Sequence, residues 1–240
     1  MNITVRTRSQ NRLLYDRMRQ FIPDNVKCVA HKSYNSWEDA VNFLHDAIDA
    51  TSDMLLVLDE DAFITDWDSI IELCIFMKDA KYTHAGVPDG GALPHRKHSF
   101  LTINPFFALF DCDFIKPIKL KVERDEIDST VYKSSMENLK PQWLDCYYEH
   151  DSIEPFSGLF YWLADIGKPL FLRADTLEDG ISTEVKSFDN KSICLHTWYS
   201  RLYSIGKRER TRIDSVYRLA IEICLAKGNL NIRDIKNKTR

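Results

Sequence analysis

Residues 54–63 have the sequence MLLVLDEDAF, in which five consecutive apolar residues are followed by three acids. A short, wholly apolar run is typical of a strand that is covered on both faces, as in a parallel sheet. Side chains alternate along an extended chain, so Asp59 and Asp61 are predicted to point to one side and Glu60 to the other. Ligands of α/β proteins bind at the carboxyl ends of such strands. This stretch therefore predicts a central strand that carries two carboxylates to a binding edge.

Strand and helix patterns alternate around this run. Predicted strands lie at 3–7, 26–30, 54–58 and 82–87, and predicted helices at 11–20, 37–48 and 67–78. Ser36, followed three residues later by Asp39, is a helix N-cap signature. Strands that alternate with helices at this spacing indicate βαβ units. We therefore expect an α/β fold with a mostly parallel mixed sheet flanked by helices.

The second half of the chain is less regular. Pro105 interrupts a β-prone stretch at 100–110, and residues 116–150 show no assignable pattern. Later elements are predicted as a helix at 158–166, a strand at 169–173, a strand or loop at 193–198, and a helix at 210–227 that ends at Gly228. No stretch rich in Gly, Pro or Ser separates the halves, which favours a single domain.

The composition of the 240 residues, 44% hydrophobic and 28% charged, is that of a globular protein and excludes a disordered chain or a coiled coil. No apolar run approaches the roughly 18–20 residues of a membrane span. The N-terminal sequence MNITVRTRSQ has no apolar segment of the secretory type. Six scattered cysteines without a CxxC pair favour free thiols in a reducing compartment. We expect a cytoplasmic protein without a transmembrane segment.

Charge is unevenly distributed along the chain. Residues 201–240 contain 11 Lys and Arg against 4 Asp and Glu, whereas the other residues contain 21 against 32. A basic C-terminal helix on an acidic body predicts contact with an anionic partner, such as a membrane surface, a phosphate-bearing substrate or nucleic acid. The alternative interpretation is a solvated helix face.

Asp59 and Asp61 have a physical reason to bind a cation. Two carboxylates held a few ångströms apart repel each other unless a cation or protons compensate their charge. Carboxylate oxygens are ligands that suit Mg²⁺ or Mn²⁺, which in turn bind substrate phosphates. The alternative is an acidic loop that leads into the helix at Trp67, with Asp66 and Asp68 as helix caps.

An apolar strand that ends in Asp-x-Asp, after two earlier strands, resembles the nucleotide-sugar glycosyltransferases of the GT-A fold. The resemblance implies a GT-A-like, Rossmann-like domain in which Asp61 binds the metal and Asp59 contacts its water shell or the ribose. It also implies a nucleotide-binding half at 1–90 and an acceptor-side half at 91–200. The sequence CLHTWYSR at 194–201 is similar to the element that supplies a further metal ligand, here His196. A lone histidine in apolar surroundings is alternatively an ordinary core residue.

The same resemblance implies contacts with the donor. Thr7 and Arg8 lie at the end of the first strand, where this fold contacts the nucleotide base or diphosphate, and an arginine can pair with phosphate oxygens. Arg201, after the His196 loop, could do the same. Gly90 and Gly91 allow close backbone approach to a donor sugar, or else form an ordinary surface turn.

An inverting transferase needs a general base to deprotonate the acceptor hydroxyl. Asp151 and Glu154 precede the predicted helix at 158–166 and are the candidates. Either acid could instead cap that helix. A retaining enzyme would need no such base, so both stereochemical outcomes stay open.

These observations predict a metal-dependent enzyme that moves a sugar from a nucleoside-diphosphate sugar, such as a UDP-sugar, to a hydroxyl of a glycan, a glycolipid or a modified DNA base. One alternative is a haloacid-dehalogenase-like phosphatase, which also places Asp-x-Asp at a strand end. That family has the motif on its first strand and a Thr where this sequence has Phe63. The other alternative is a non-catalytic nucleotide-binding protein.

Overall fold

A computed structural model describes residues 1–34, 36–151 and 153–228 of the chain. The strands are β1 (Ile3–Ser9), β2 (Lys27–Lys32), β3 (Met54–Leu58), β4 (Ala62–Ile64), β5 (His84–Pro88), β6 (Ile103–Asp111), β7 (Pro169–Phe171), β8 (Ala174–Thr176), β9 (Thr183–Lys186) and β10 (Ser192–His196). The helices are α1 (Arg12–Arg19), α2 (Trp37–Asp49), α3 (Trp67–Asp79), α4 (Cys112–Lys119), α5 (Arg124–Asp128), α6 (Ser157–Ile166) and α7 (Lys207–Ala226), with 3₁₀ turns at Ser134–Leu139 and Ser200–Leu202.

Six strands form the main sheet in the order β2-β1-β3-β6-β5-β7. Neighbouring strands are parallel except at β6, which is antiparallel to both β3 and β5. The predicted α/β fold, with a mostly parallel mixed sheet flanked by helices in a single domain, is therefore confirmed. All five residues of β3 are buried, as their apolar run predicts.

Two apolar layers cover the main sheet. Side chains of α2, α4 and α6 pack on one face, and those of α1, α3 and α7 pack on the other. The N-cap prediction at Ser36 is confirmed, since its hydroxyl accepts a 3.0 Å hydrogen bond from the backbone N–H of Asp39. Asp66 caps α3 in the same way. All six cysteines are free thiols.

Pro105 does not interrupt the strand that contains it. Pairing of β6 with β3 extends only to Phe107, and its pairing with β5 is irregular between Gly86 and Pro88. Pro105 therefore lies where no ladder hydrogen bond requires a backbone N–H. The expectation of a break was wrong because the proline falls in this gap.

A second sheet of four antiparallel strands has the order β4-β10-β9-β8 and was not predicted. No element was predicted between the three acids and the helix at Trp67, but Ala62–Ile64 forms β4 and pairs with β10. The C-terminal helix also begins earlier than predicted, at Lys207. It ends before Gly228, whose φ of 72° suits the close of a helix.

The basic region predicted at 201–240 is described only as far as residue 228, and residues 229–240 lie outside the described part of the chain. Within the described residues, no helix combines the length and the hydropathy that a membrane-spanning segment requires.

Candidate metal centre and cleft

The turn after β3 carries the three acids, and a backbone hydrogen bond from the Ala62 N–H to the Asp59 carbonyl closes it. The chain then enters β4, which pairs antiparallel with β10 so that His196 lies opposite Ala62. This register places His196 beside the acidic turn, although the two are far apart in sequence. The small second sheet is thus the structural reason that His196 meets the acids.

Asp59, Asp61 and His196 form one cluster, in which a potential ligand atom from each lies within 4.8 Å of the others. His196 Nε2 is 3.3 Å from Asp61 Oδ1 and 3.9 Å from Asp59 Oδ2. Asp61 and His196 are buried, whereas the side chain of Asp59 is 42% exposed. Two carboxylates and an imidazole are a donor set that suits Mn²⁺ or Mg²⁺. The three predicted metal ligands are therefore brought together.

Neighbouring groups hold this cluster in place. The Thr197 hydroxyl donates a 2.6 Å hydrogen bond to Asp61 Oδ2, and the Thr197 N–H donates to the Asp61 carbonyl. The His196 ring stacks on Phe106 with centroids 4.1 Å apart. Burial alone would raise the pKa of Asp61, but His196 and these hydrogen bonds hold it below its ordinary value.

The pKa of Asp59 shifts in the opposite direction. Desolvation raises the pKa of Asp59, and the nearby charge of Asp61 adds to the rise. His196 and two cleft arginines, Arg8 and Arg201, oppose this effect. Asp61 is therefore the more readily ionised of the two carboxyl groups, whereas ionisation of Asp59 is unfavourable. A bound cation would stabilise the ionised form of Asp59.

Glu60 points away from the pair, as strand alternation predicted. Its Oε2 accepts hydrogen bonds from the Ser9 hydroxyl at 2.6 Å and from the N–H groups of Gln10 and Asn11 at 2.9 and 2.8 Å. Asn11 is the N-cap of α1. Glu60 therefore ties the start of α1 to the acidic turn, which is a structural role.

The cluster lies in a cleft of about 420 Å³ at the carboxyl edge of the main sheet. Arg8 and Arg201, two of the residues predicted to contact the donor, line this cleft. Arg8 Nη1 is also 3.6 Å from Asp39 Oδ2. Thr7 is fully buried within β1 and does not line the cleft, because the strand directs its side chain into the protein.

Glu154 lines the cleft but is already engaged. Arg96 Nη2 is 2.5 Å from Glu154 Oε1, and His98 Nε2 is 3.1 Å from the same oxygen. Arg96 also donates two hydrogen bonds to the buried carboxylate of Asp89, at 2.7 and 2.6 Å. Asp89, His98 and Glu154 are close enough to hold a metal, but the Arg96 guanidinium already supplies the positive charge between the two acids.

Sequence reasoning missed Asp89 and Arg96. Asp89 directly follows β5, just as Asp59 follows β3, and this shared position at a strand end was an available signal. Asn104 also donates to Asp89, at 2.5 Å. Arg96 has no comparable signal, because its partner Glu154 is 58 residues away in sequence.

Besides Thr7, three predicted site residues do not line the cleft. Gly90 and Gly91 are buried in the loop after β5 and do not line it. A Cβ at Gly90 would lie 1.7 Å from the His98 carbonyl oxygen, so this glycine serves packing within the loop. Asp151 is exposed and lines a separate hollow beside α2 and α5.

The loop after His196 has an unusual backbone. Trp198 and Tyr199 have φ values of 60° and 59°, which are rare for residues with side chains. Arg212 of α7 holds this loop, because its guanidinium donates to the carbonyls of Thr197 and Trp198. The Trp198 indole N–H donates to Thr183 at 2.8 Å. The side chains of Trp198 and Tyr199 both line the cleft.

Comparison with known proteins adds only weak likeness to solved structures. No protein family matches the sequence, and no curated protein matches it. Among solved structures, the chain is similar to the crystal structure of A197 from STIV, with 14% sequence identity. The match covers 80% of this chain and 93% of that chain, with a TM-score of 0.45. We infer no activity from this likeness.

Proposed function

We propose that this protein is a metal-dependent glycosyltransferase that uses a nucleoside-diphosphate sugar, such as a UDP-sugar, as donor. One observation carries the proposal: Asp59, Asp61 and His196 converge in a cleft that Arg8 and Arg201 also line. A diphosphate leaving group needs positive charge around it, and this cleft combines a candidate dication site with two guanidinium groups. In this proposal, residues 1–90 form the donor half and residues 91–200 the acceptor side.

The residues present fit Mn²⁺ or Mg²⁺, which Asp61 and His196 would bind from the buried side and Asp59 from the cleft. A bound divalent ion supplies Lewis-acid stabilisation of the negative charge on a departing diphosphate. Arg8 and Arg201 bind and orient the phosphates from the cleft walls. Thr197 and Phe106 keep the carboxylate of Asp61 and the ring of His196 in place.

Glu154 is the proposed general base, since of the two candidate acids only this one lines the cleft. Its Oε1 would accept a proton from the acceptor hydroxyl. Arg96 and His98 both contact that oxygen, so the base must exchange one of these partners for the acceptor. A retaining reaction needs no such base, so the ion pair between Arg96 and Glu154 could stay intact. An inverted anomeric configuration in the product would therefore support Glu154 as the base, and a retained one would argue against it.

The non-catalytic nucleotide-binding protein is the second candidate, since the same cleft could bind a nucleotide without turnover. The phosphatase alternative is less well supported, because the motif follows β3 rather than the first strand and Phe63 is fully buried. We assign the acceptor class to glycans, glycolipids or modified DNA bases, and the compartment to the cytoplasm, where the six free thiols would stay reduced.

Thermal unfolding with nucleoside diphosphates, in the presence and absence of Mn²⁺, tests the binding part of this proposal. At a ligand concentration near 100 times its Kd, stability should rise by about 2.7 kcal/mol. For a chain of this size, that gain corresponds to a rise in Tm of roughly 5–10 °C. Asp61→Asn should abolish the part of the rise that depends on Mn²⁺, whereas Asp68→Asn, an exposed acid on α3, should retain it.

Release of free nucleotide from a panel of nucleotide sugars then separates the two candidates. Metal-dependent release that Asp61→Asn eliminates supports a transferase. Stabilisation by nucleotide without release from any donor would favour the non-catalytic binding protein. A wild-type rate in the Asp61→Asn variant would refute the metal site.

A further inference from the structure

Large aliphatic side chains are exposed beside the mouth of the cleft. Ile205 is 80% exposed, Leu13 51% and Leu202 40%. Leu13 lies in the first turn of α1 and the other two precede α7, yet the segments meet where Asn11 Nδ2 is 3.4 Å from Ser204 Oγ. The three exposed side chains therefore lie on two segments that are in contact, and an exposed apolar patch on a folded protein can mark an interaction site.

The same corner carries excess positive charge. Residues 201–210 contain Arg201, Lys207, Arg208 and Arg210 against one acid, Glu209. That acid already pairs with Arg212 at 2.9 Å. We define the docking surface as Leu13, Leu202 and Ile205 together with Lys207 and Arg208.

Buried contacts of Tyr203 fix the turn that carries Leu202 and Ile205. Tyr203, between the exposed aliphatic residues, is buried against Leu14 and Ile213. Its hydroxyl donates a 2.8 Å hydrogen bond to Asp214. The carbonyl of Leu202 accepts backbone hydrogen bonds from the two residues that end the turn, at 3.2 and 2.8 Å. The buried tyrosine therefore anchors the turn, and Leu202 and Ile205 on either side of it are exposed to solvent.

The docking surface is continuous with the cleft. Tyr199, Ser200 and Arg201 line the cleft, and the chain passes directly from them to Leu202. Tyr199 is itself 48% exposed. A partner bound to this surface would thus lie beside the cleft.

We propose that the docking surface binds an anionic lipid bilayer. Aliphatic side chains enter the boundary between headgroups and acyl chains, and lysines and arginines bind anionic headgroups. Nucleic acid would attract the same cations, but its phosphate contacts would leave Ile205 and Leu202 in water. The combination of exposed aliphatic groups with cations therefore favours a membrane over DNA.

This inference also narrows the acceptor, and that step rests on the proposed function. A cleft whose mouth lies at a bilayer receives an acceptor that is carried by a lipid. Of the proposed acceptors, which are glycans, glycolipids and modified DNA bases, membrane binding of the protein therefore favours the glycolipid.

Co-sedimentation with vesicles tests the docking surface without donor, metal or turnover. Vesicles that mix phosphatidylserine with phosphatidylcholine should bind the full chain, and vesicles of phosphatidylcholine alone should bind it much more weakly. Ile205→Asp should lower the partition coefficient by at least about tenfold, because a large apolar group is lost from the membrane. Lys207→Gln and Arg208→Gln should each lower it by about fivefold.

Ile75→Asp is the matched control, since Ile75 is 48% exposed on α3 and lies outside the docking surface. Its partition coefficient should equal that of the wild type. Absence of vesicle binding, or equal losses in Ile205→Asp and Ile75→Asp, would overturn the inference. Binding to duplex DNA that Ile205→Asp leaves unchanged, without vesicle binding, would assign the surface to nucleic acid instead. None of these results depends on nucleotide release, so the proposed function is tested separately.

Discussion

The imidazole ring of His196 lies parallel to the phenyl ring of Phe106, with centroids 4.1 Å apart and an interplanar angle of 7°. His196 Nδ1 is buried and has no hydrogen-bond partner among the residues that the structure describes. Metal-binding histidines usually donate this second N–H to an oxygen, which fixes the ring. Here the stack on Phe106 and the pairing of β10 with β4 orient the ring instead.

Phe106→Leu should therefore weaken metal binding without removing a ligand. Loss of an orienting neighbour typically costs about 10- to 100-fold in metal affinity, and we expect the lower end because the strand pairing remains. Calorimetric titration with Mn²⁺ measures this effect. Phe110→Leu is the control, because Phe110 is equally buried in β6 but packs on Phe160 away from the cluster. Equal Mn²⁺ affinity in the two variants would show that the stack does not orient His196.

The main sheet was predictable because its strands carry strong local signals. The wholly apolar run of β3 and the capped, amphipathic α2 each fit one pattern over their full length. The second sheet has no such signal, since its strands are only three to five residues long. β4 is further hidden because it begins directly after a turn of three acids. Its existence depends on pairing with β10, which is a long-range contact.

Some residues of the candidate site could likewise be predicted from the sequence, whereas others could not. Asp59 and Asp61 follow from strand alternation alone, and His196 was suggested by resemblance. Arg96 could not be inferred, because its position is set by ion pairs with a buried strand-end acid and with Glu154. Asp151 lines the hollow beside α2 and α5 and not the cleft. The order of residues before α6 does not show which side of the helix start each acid faces.

Substitution of the adjacent acids Glu60 and Asp61 should have different effects on stability and on Mn²⁺ affinity. Glu60→Gln disturbs three hydrogen bonds to residues 9–11, so we expect a loss of about 1–2 kcal/mol in the free energy of unfolding. Its Mn²⁺ affinity should stay near that of the wild type, because Glu60 points away from the cluster. Asp61→Asn should instead show a large loss of Mn²⁺ affinity, together with a loss of stability, because it also weakens the contacts of Asp61 with Thr197 and His196. Urea unfolding and calorimetry on both variants provide the measurement, and loss of Mn²⁺ binding in Glu60→Gln would contradict the assignment.

Arg212 should act on the cleft through the loop that it holds. Arg212→Met removes hydrogen bonds to the carbonyls of Thr197 and Trp198 and leaves these groups without their charged donor. We expect unfolding to become easier by about 2–4 kcal/mol. The KM for the donor should rise, because Trp198 and Tyr199 no longer stay in their left-handed conformation. Arg218→Met, an exposed residue of the same helix, should leave both quantities unchanged.

His84 should make the protein less stable in mild acid. It is buried in β5 beside Phe160, its Nε2 has no hydrogen-bond partner among the described residues, and burial lowers its pKa to about 3. An unfolded histidine has a pKa near 6.5. Between these values the unfolded chain binds a proton that the folded chain does not, so stability falls as the pH falls through this window.

The size of this effect can be measured with one substitution. Between about pH 7 and pH 5, a single histidine of this kind should cost about 2 kcal/mol of stability. His84→Met replaces the imidazole with an apolar side chain of similar size that cannot bind a proton. Between pH 7 and pH 5, the variant should therefore lose about 2 kcal/mol less stability than the wild type loses. His45 retains its own contribution, because burial also lowers its pKa, and the variant should therefore keep a reduced slope. Urea unfolding of both proteins at the two pH values gives the comparison, and identical pH dependence in wild type and variant would show that His84 takes up its proton in the folded state.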